Sequence, residues 1–134
     1  MQKLCYPAIF TPCEELEGYT VEFPDLSGCI TEGKDMIHAI EMAQDAANGW
    51  ILLELEDGNQ LPLPSPISSI TITGDSFVNM IVLDVETYAE KYGEKSVRRN
   101  ISLPAWINTY AEKNNISCSK VLQDALLSIA SSSK

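Results

Sequence analysis

The residues of this 134-residue chain best suited to chemistry are Arg98, Asn100 and Ser102. They alternate with Val97, Arg99, Ile101 and Leu103, so an extended strand presents them together on one side. Their types suit the edges of DNA bases in the major groove. Arginine grips guanine through two hydrogen bonds, asparagine pairs with adenine, and serine can address either. Arg99 falls on the inner side by alternation and is placed to reach phosphate from the end of the strand. A second set lies some twenty residues on. Free N–H groups at the start of a helix near Ser117, Cys118 and Ser119, with Lys120 beside them, would hold a backbone phosphate. The plainer reading of the same residues is a polar strand capping a helical hairpin, with no nucleic acid involved.

Catalytic chemistry finds less support. A two-metal hydrolase needs several carboxylates converging from strands and helices, yet the first strand, KLCYPAIF, has none. Nothing in the spacing of Asp25, Asp45, Asp75 and Asp84 forces them together. The single histidine, His38, sits near a helix start beside core positions, which favours a structural or surface role. No GxSxG nucleophile motif and no phosphate-cradling glycine loop is present. Cysteines 5, 13, 29 and 118 lack both CxxC spacing and a neighbouring histidine ligand, so no zinc site is expected. They read as free thiols of a reducing cytosol, with a disulfide between two of them left open. The expectation is a chain with no catalytic residues, metal or cofactor.

The elements that must position the first set follow from pattern. After the alternating strand, Pro104 opens a helix, where its missing N–H costs nothing, and Ile107, Tyr110 and Ala111 form a stripe that the turn-prone Asn114-Asn115 closes. A second helix starts at the good N-caps Ser117–Ser119 and carries Val121, Leu122, Ala125, Leu126 and Ile129 on one face. Strand, helix, helix in about 35 residues resembles the ribbon-helix-helix proteins. Such a segment is too short to bury a core alone. A homodimer solves this: two strands pair antiparallel into a ribbon that fits a major groove, and four helices interlock. Dimers reading one half-site each can pair further into tetramers.

The preceding residues predict a mixed α/β domain. Leu4–Phe10 and Tyr19–Phe23 read as a hairpin, with Pro7 suggesting an edge or bulge. Phe23–Cys29 turns the chain, and Ile30-Thr31 resumes a short strand before Gly33. From Asp35 the pattern becomes helical, with Met36, Ile37, Ile40, Ala43, Ala47, Trp50 and Ile51 as the apolar stripe, ending near Glu56. Leu61–Pro66 is an extended connector. Ile67–Thr73 and Phe77–Val85 read as the last strands, the latter apolar on both faces as in a covered central strand. Residues 87–93 read as a short helix or hinge. The division is 1–86 for the first domain, 87–95 for the linker and 96–134 for the second domain.

Charge is divided the same way. Residues 1–93 carry three lysines against sixteen carboxylates, a net of −13; residues 94–134 carry six basic residues against three acids, a net of +3. A chain acidic overall repels phosphate on average, but its basic residues sit where a groove reader belongs. A charged partner of the first domain would be basic. Acidic surfaces also serve solubility alone. No apolar run approaches the ~20 residues that span a bilayer, and MQKLCYPAIF lacks a secretory pattern, so a soluble cytoplasmic protein without membrane contact is expected.

The hairpin, the phrase FPDLSGC followed by TEG, the helix containing His38-Ala39-Ile40 and Ala43, the further strands and the C-terminal module resemble the HicB family of bacterial antitoxins, over essentially the whole chain. That resemblance implies an α+β fold: a partial ribonuclease H-like first domain (hairpin, short strand, long helix, further strands) joined to a ribbon-helix-helix. It implies a partner, a small basic HicA-type ribonuclease toxin that cleaves messenger RNA, and repression of the chain's own operon through operator double-stranded DNA. Tyr19, Glu22, Phe23, Asp25, Leu26 and Glu32 form a plausible toxin-contact set beside this resemblance. Phe23 and Leu26 read equally well as core beneath a tight turn, and Glu22 and Glu32 as a solvated edge. Gly28 reads as a backbone requirement. The competing function is a stand-alone ribbon-helix-helix repressor whose first domain senses a ligand or mediates oligomerisation. A metal-dependent hydrolase is the third, weakened by the missing carboxylate cluster.

Overall fold

The computed structural model describes residues 3–14, 17–92 and 99–131. Strands β1 (Leu4–Pro12), β2 (Tyr19–Glu22) and β3 (Ile30–Gly33) precede helix α1 (Met36–Glu56). Strand β4 (Phe77–Leu83) and helices α2 (Val85–Tyr92), α3 (Ala105–Lys113) and α4 (Cys118–Ala130) follow. The sheet order is β3-β2-β1-β4, every pairing antiparallel.

Alternation along β1 decides which side becomes the core. Leu4, Tyr6, Ala8 and Phe10 are buried, and their register partners Leu83, Ile81, Asn79 and Phe77 share that face. Pro7 is tolerated in an interior strand for a local reason. β2 pairs with β1 only from Ile9 to Pro12, so at Pro7 the missing N–H can face a side where no ladder bond is lost.

α1 covers this inner face. Asp35 caps it, Oδ1 accepting from the His38 N–H at 2.8 Å. Ala39, Ala43, Ala47 and Ile51 are fully buried; small side chains four apart form a smooth stripe that lets the helix lie close to the sheet. Ile37, expected in that stripe, is 73% exposed, because the sheet contacts the neighbouring Ala39 row. The approach is closest at Gly33, where a Cβ would stand 2.3 Å from the Ala39 backbone, so no larger residue fits.

Two expectations change. Ile67–Thr73 is not a strand: Ile67–Ser69 forms a 3-10 turn, with Ser69 N–H donating to Pro66 O and Ile70 N–H to Ile67 O, and residues 70–73 carry no strand. β4 is an edge strand rather than a central one, and its Met80 and Val82 are exposed. Both follow from topology: among the described strands β4 pairs with β1 alone, and apolar character does not reveal whether both faces are covered.

Helix α4 touches the first domain. Leu127 and Ala130 pack against its core cluster, Leu61 N–H donates to Ala130 O at 2.8 Å, and the Gln60 amide donates to Ile129 O at 2.7 Å. Residues 60–61 thereby satisfy two carbonyls that the end of α4 leaves orphaned. No helix among the described residues is long and apolar enough to cross a membrane.

Candidate nucleic-acid and protein interfaces

The C-terminal module is built around one turn. Asn115 takes φ 54°, the left-handed conformation asparagine tolerates better than most residues. Ile116 N–H then donates to Ala111 O at 2.9 Å and the Asn114 side chain to Tyr110 O at 2.8 Å, closing α3. Ser117 caps α4, its Oγ accepting from Lys120 N–H at 3.3 Å. The N-terminal amides of α4 therefore stand beside Ser117, Cys118 and Ser119, the last three all exposed.

Arg99, Asn100 and Ser102 are exposed in a segment without assigned secondary structure that leads to Pro104. Among the described residues, 99–104 carry no strand assignment; a two-chain ribbon needs the second copy. Arg98 lies outside the described residues. Lys120 is already engaged: its Nζ lies 3.1 Å from Glu86 Oε1. The hydrogen bond and charge of Glu86, with smaller contributions from Asp124 and Glu90, hold the lysine pKa above its ordinary value. Sequence reading missed this contact because Glu86 and Lys120, 34 residues apart, meet only through the tertiary fold.

Around these groups lies an apolar surface with no cover. Ile101, Leu103, Trp106, Tyr110, Val121, Leu122, Leu126 and Ile129 are all exposed, Trp106 to 74%. Among the described residues of this module only Ala111 is buried.

The hairpin and turn were the other candidate surface, and here the structure separates the six residues. Phe23 and Leu26 are 2% and 0% exposed. They belong to the core and are not available to a partner meeting the folded surface. The turn is drawn inward by its own bonds, Phe23 N–H to Cys29 O at 3.1 Å and Cys29 N–H to Leu26 O at 2.9 Å, with Gly28 at φ 80°. It is clamped from both sides. Trp50 Nε1 donates to Ser27 O at 2.9 Å, while Asp25 accepts from Ser65 N–H at 2.8 Å and from Ser65 Oγ. Tyr19 is half-buried and meets Phe10 and Phe77 edge-on. Glu22 and Glu32 remain exposed. Register places them, with Thr20 and Ile30, on the sheet face opposite α1.

Two of the four carboxylates weighed for catalysis make structural bonds, and Asp45 and Asp84 line one cleft. Asp25 binds Ser65, and Asp84 caps α2 by accepting from Thr87 N–H at 3.2 Å. No group of three or more His, Cys, Asp or Glu side chains suited to a metal ion occurs among the described residues. His38 Nδ1 accepts from Lys34 N–H at 2.9 Å, fastening the β3–α1 junction. Glu41, Asp45, Asn48, Asp84 and Tyr88 line an open cleft of about 370 Å³ between α1, β4 and α2. All four cysteines are free. Burial pushes the Cys29 thiol up to about 11; burial, then the charge of Asp25, pushes the Tyr6 hydroxyl up to about 12. That hydroxyl donates to Pro62 O at 2.6 Å.

Residues 6–128 match the family described as HicB-like antitoxin of bacterial toxin-antitoxin systems. The chain is similar to Antitoxin HicB 1 of Photorhabdus laumondii subsp. laumondii, 37% identical over 67 residues, covering 50% of this chain and 43% of that one. It is 39% identical to Antitoxin HicB of Escherichia coli K12 over 64 residues, 48% of this chain and 46% of that one. The match thus spans less than half the length of either curated relative. In fold it is similar to a chain of a toxin–antitoxin complex from Streptococcus pneumoniae, with a TM-score of 0.63 at 23% identity over 94% of this chain and 98% of that chain.

Proposed function

The chain belongs to the HicB-like antitoxin family, and from that membership we propose an antitoxin with two working surfaces. The first domain, a partial ribonuclease H-like fold without catalytic residues, binds and neutralises a small basic HicA-type messenger RNA ribonuclease. Residues 96–134 pair with a second copy as a ribbon-helix-helix that binds operator DNA and represses the chain's own operon.

The observation that carries the second half is the uncovered apolar surface of the C-terminal module. Fully burying one such side chain contributes about 1.5–3 kcal/mol. Eight of them left in water form a patch that soluble monomers seldom carry. A second copy supplies both the missing cover and the missing strand partner. Pairing of residues 97–103 across the two chains turns Arg98, Asn100 and Ser102 outward for base edges, leaving Arg99 and the α4 N-terminus for phosphates. Lys120 joins them by exchanging Glu86 for phosphate. The charge division supports the first half: a −13 segment repels RNA and attracts a basic RNA-binding protein.

The test is co-expression of this chain with the small protein encoded beside it, followed by pull-down, a messenger RNA cleavage assay and a gel shift on the upstream promoter fragment. A stable complex that suppresses cleavage, together with a salt-sensitive shift by dimers, is the expected result. DNA binding with no partner and no effect on cleavage would leave a stand-alone repressor. A chain that is monomeric and does not shift DNA would overturn the ribbon-helix-helix reading.

A further inference from the structure

An antiparallel sheet that shows one face to water normally carries polar residues there. The outer face of this sheet does so over only part of its width. Register defines its rows. Glu32, Thr20 and Thr11 form one; Ile30, Glu22, Ile9 and Val78 form the next. Met80 beside the wholly buried Pro7, and Val82 beside the half-buried Cys5, complete the face. It therefore grades from an acidic, hydroxyl-rich end to an apolar end. Ile30, Met80 and Val82 are 59%, 38% and 48% exposed, although α1 covers only the opposite face.

We propose that this outer face is the surface on which the first domain receives a basic protein, with Met80, Val82 and Ile30 as apolar contacts and Glu22 and Glu32 as the acidic rim. The assignment rests on the antitoxin reading and adds to it the place of contact. Charge selects the occupant. β1 to β4 contain no lysine or arginine, and their only two charges are Glu22 and Glu32, both on this face. A second copy docked here by two-fold symmetry would bring like carboxylates into one interface, and a nucleic acid would be repelled. A cationic protein with an apolar centre meets neither penalty. The partner meets the face rather than extending the sheet at β4. Gln44 Nε2 donates to Val82 O at 3.2 Å, occupying an edge carbonyl that strand addition would need.

The experiment measures binding of the full-length chain to the small basic protein encoded beside it, at low and high salt. The variants are Met80→Glu, the pair Glu22→Lys with Glu32→Lys, and Ile37→Glu as a control on the far side of α1. Met80→Glu is expected to weaken binding at least about tenfold. The double lysine variant is expected to slow association and to lose most of its salt dependence, and Ile37→Glu to change nothing. Promoter binding should survive in all three, reporting that each is folded. If Met80→Glu does not fold, the exposed charge reversals carry the test alone. Wild-type binding with unchanged affinity in the face variants overturns the face and spares the antitoxin reading. Failure of the wild-type chain to bind the basic protein overturns both. A change in the chain's own oligomeric state without a change in partner affinity assigns the face to a second copy instead.

Discussion

Leu26→Ala tests whether the FPDLSGC turn is a core plug or a contact loop. Leu26 is wholly buried beneath the turn, among neighbours fixed by the Trp50–Ser27 and Ser65–Asp25 bonds. Those clamps limit collapse into the space the leucine leaves. A truncation of this kind costs about 2–5 kcal/mol, toward the upper part of the range where the site cannot relax. Unfolding entropy near 2.1 cal/mol/K per residue is roughly 0.3 kcal/mol/K for a chain of this length, so a loss of ~3 kcal/mol lowers Tm by about 10 °C. Urea unfolding followed by far-UV circular dichroism should show the midpoint falling with an unchanged slope. Partner binding measured well below the new Tm should then stay within about twofold of wild type, a difference of ~0.4 kcal/mol. The matched control is Glu22→Lys, exposed on the outer sheet face, which should move stability by no more than ~0.5 kcal/mol while changing binding. A Leu26→Ala protein that keeps its Tm but loses the partner would refute the reasoning and return the turn to the interface.

Leu126→Glu places a charge in the exposed α4 stripe; sedimentation should show a dimer becoming a monomer, and the promoter shift should vanish while the first domain still binds its partner. Glu86→Gln removes the carboxylate that holds Lys120, so promoter affinity should rise and its salt dependence steepen; unchanged DNA binding would remove Lys120 from the phosphate contacts. Tyr6 and Cys29 make the fold sensitive to alkali. Each folded-state pKa is raised, Cys29 from 9.0 to about 11 and Tyr6 from 10.0 to about 12, so their contribution is complete below pH 9 and is lost as pH rises through that window. Two pH units correspond to up to about 3 kcal/mol for a fully buried group, and pH-dependent unfolding of Tyr6→Phe should show a shallower decline above pH 10 than wild type.

The local elements were written in the chain. Asp35 and Ser117 announce helix starts by their capping oxygens, the β1 alternation names its buried side, and Pro104 marks where the last helical pair begins. These signals are short-range, because capping and periodicity act within one or two turns of backbone. Contacts between distant segments were not legible. Phe23 and Leu26 look alike as contacts or as core until α1 and the 61–66 connector close over the turn. Ile67–Thr73 alternates like a strand but joins no sheet in the described structure, and β4 is apolar on both sides yet lies at the edge. Glu86 and Lys120, 34 residues apart, become partners only when the fold brings α2 and α4 within reach of an ion pair. Composition and pattern determined an acidic sheet domain followed by a basic two-helix module. Tertiary structure decided which apolar groups are spent on the core and which remain on the surface, because burial depends on what the topology lays over each face.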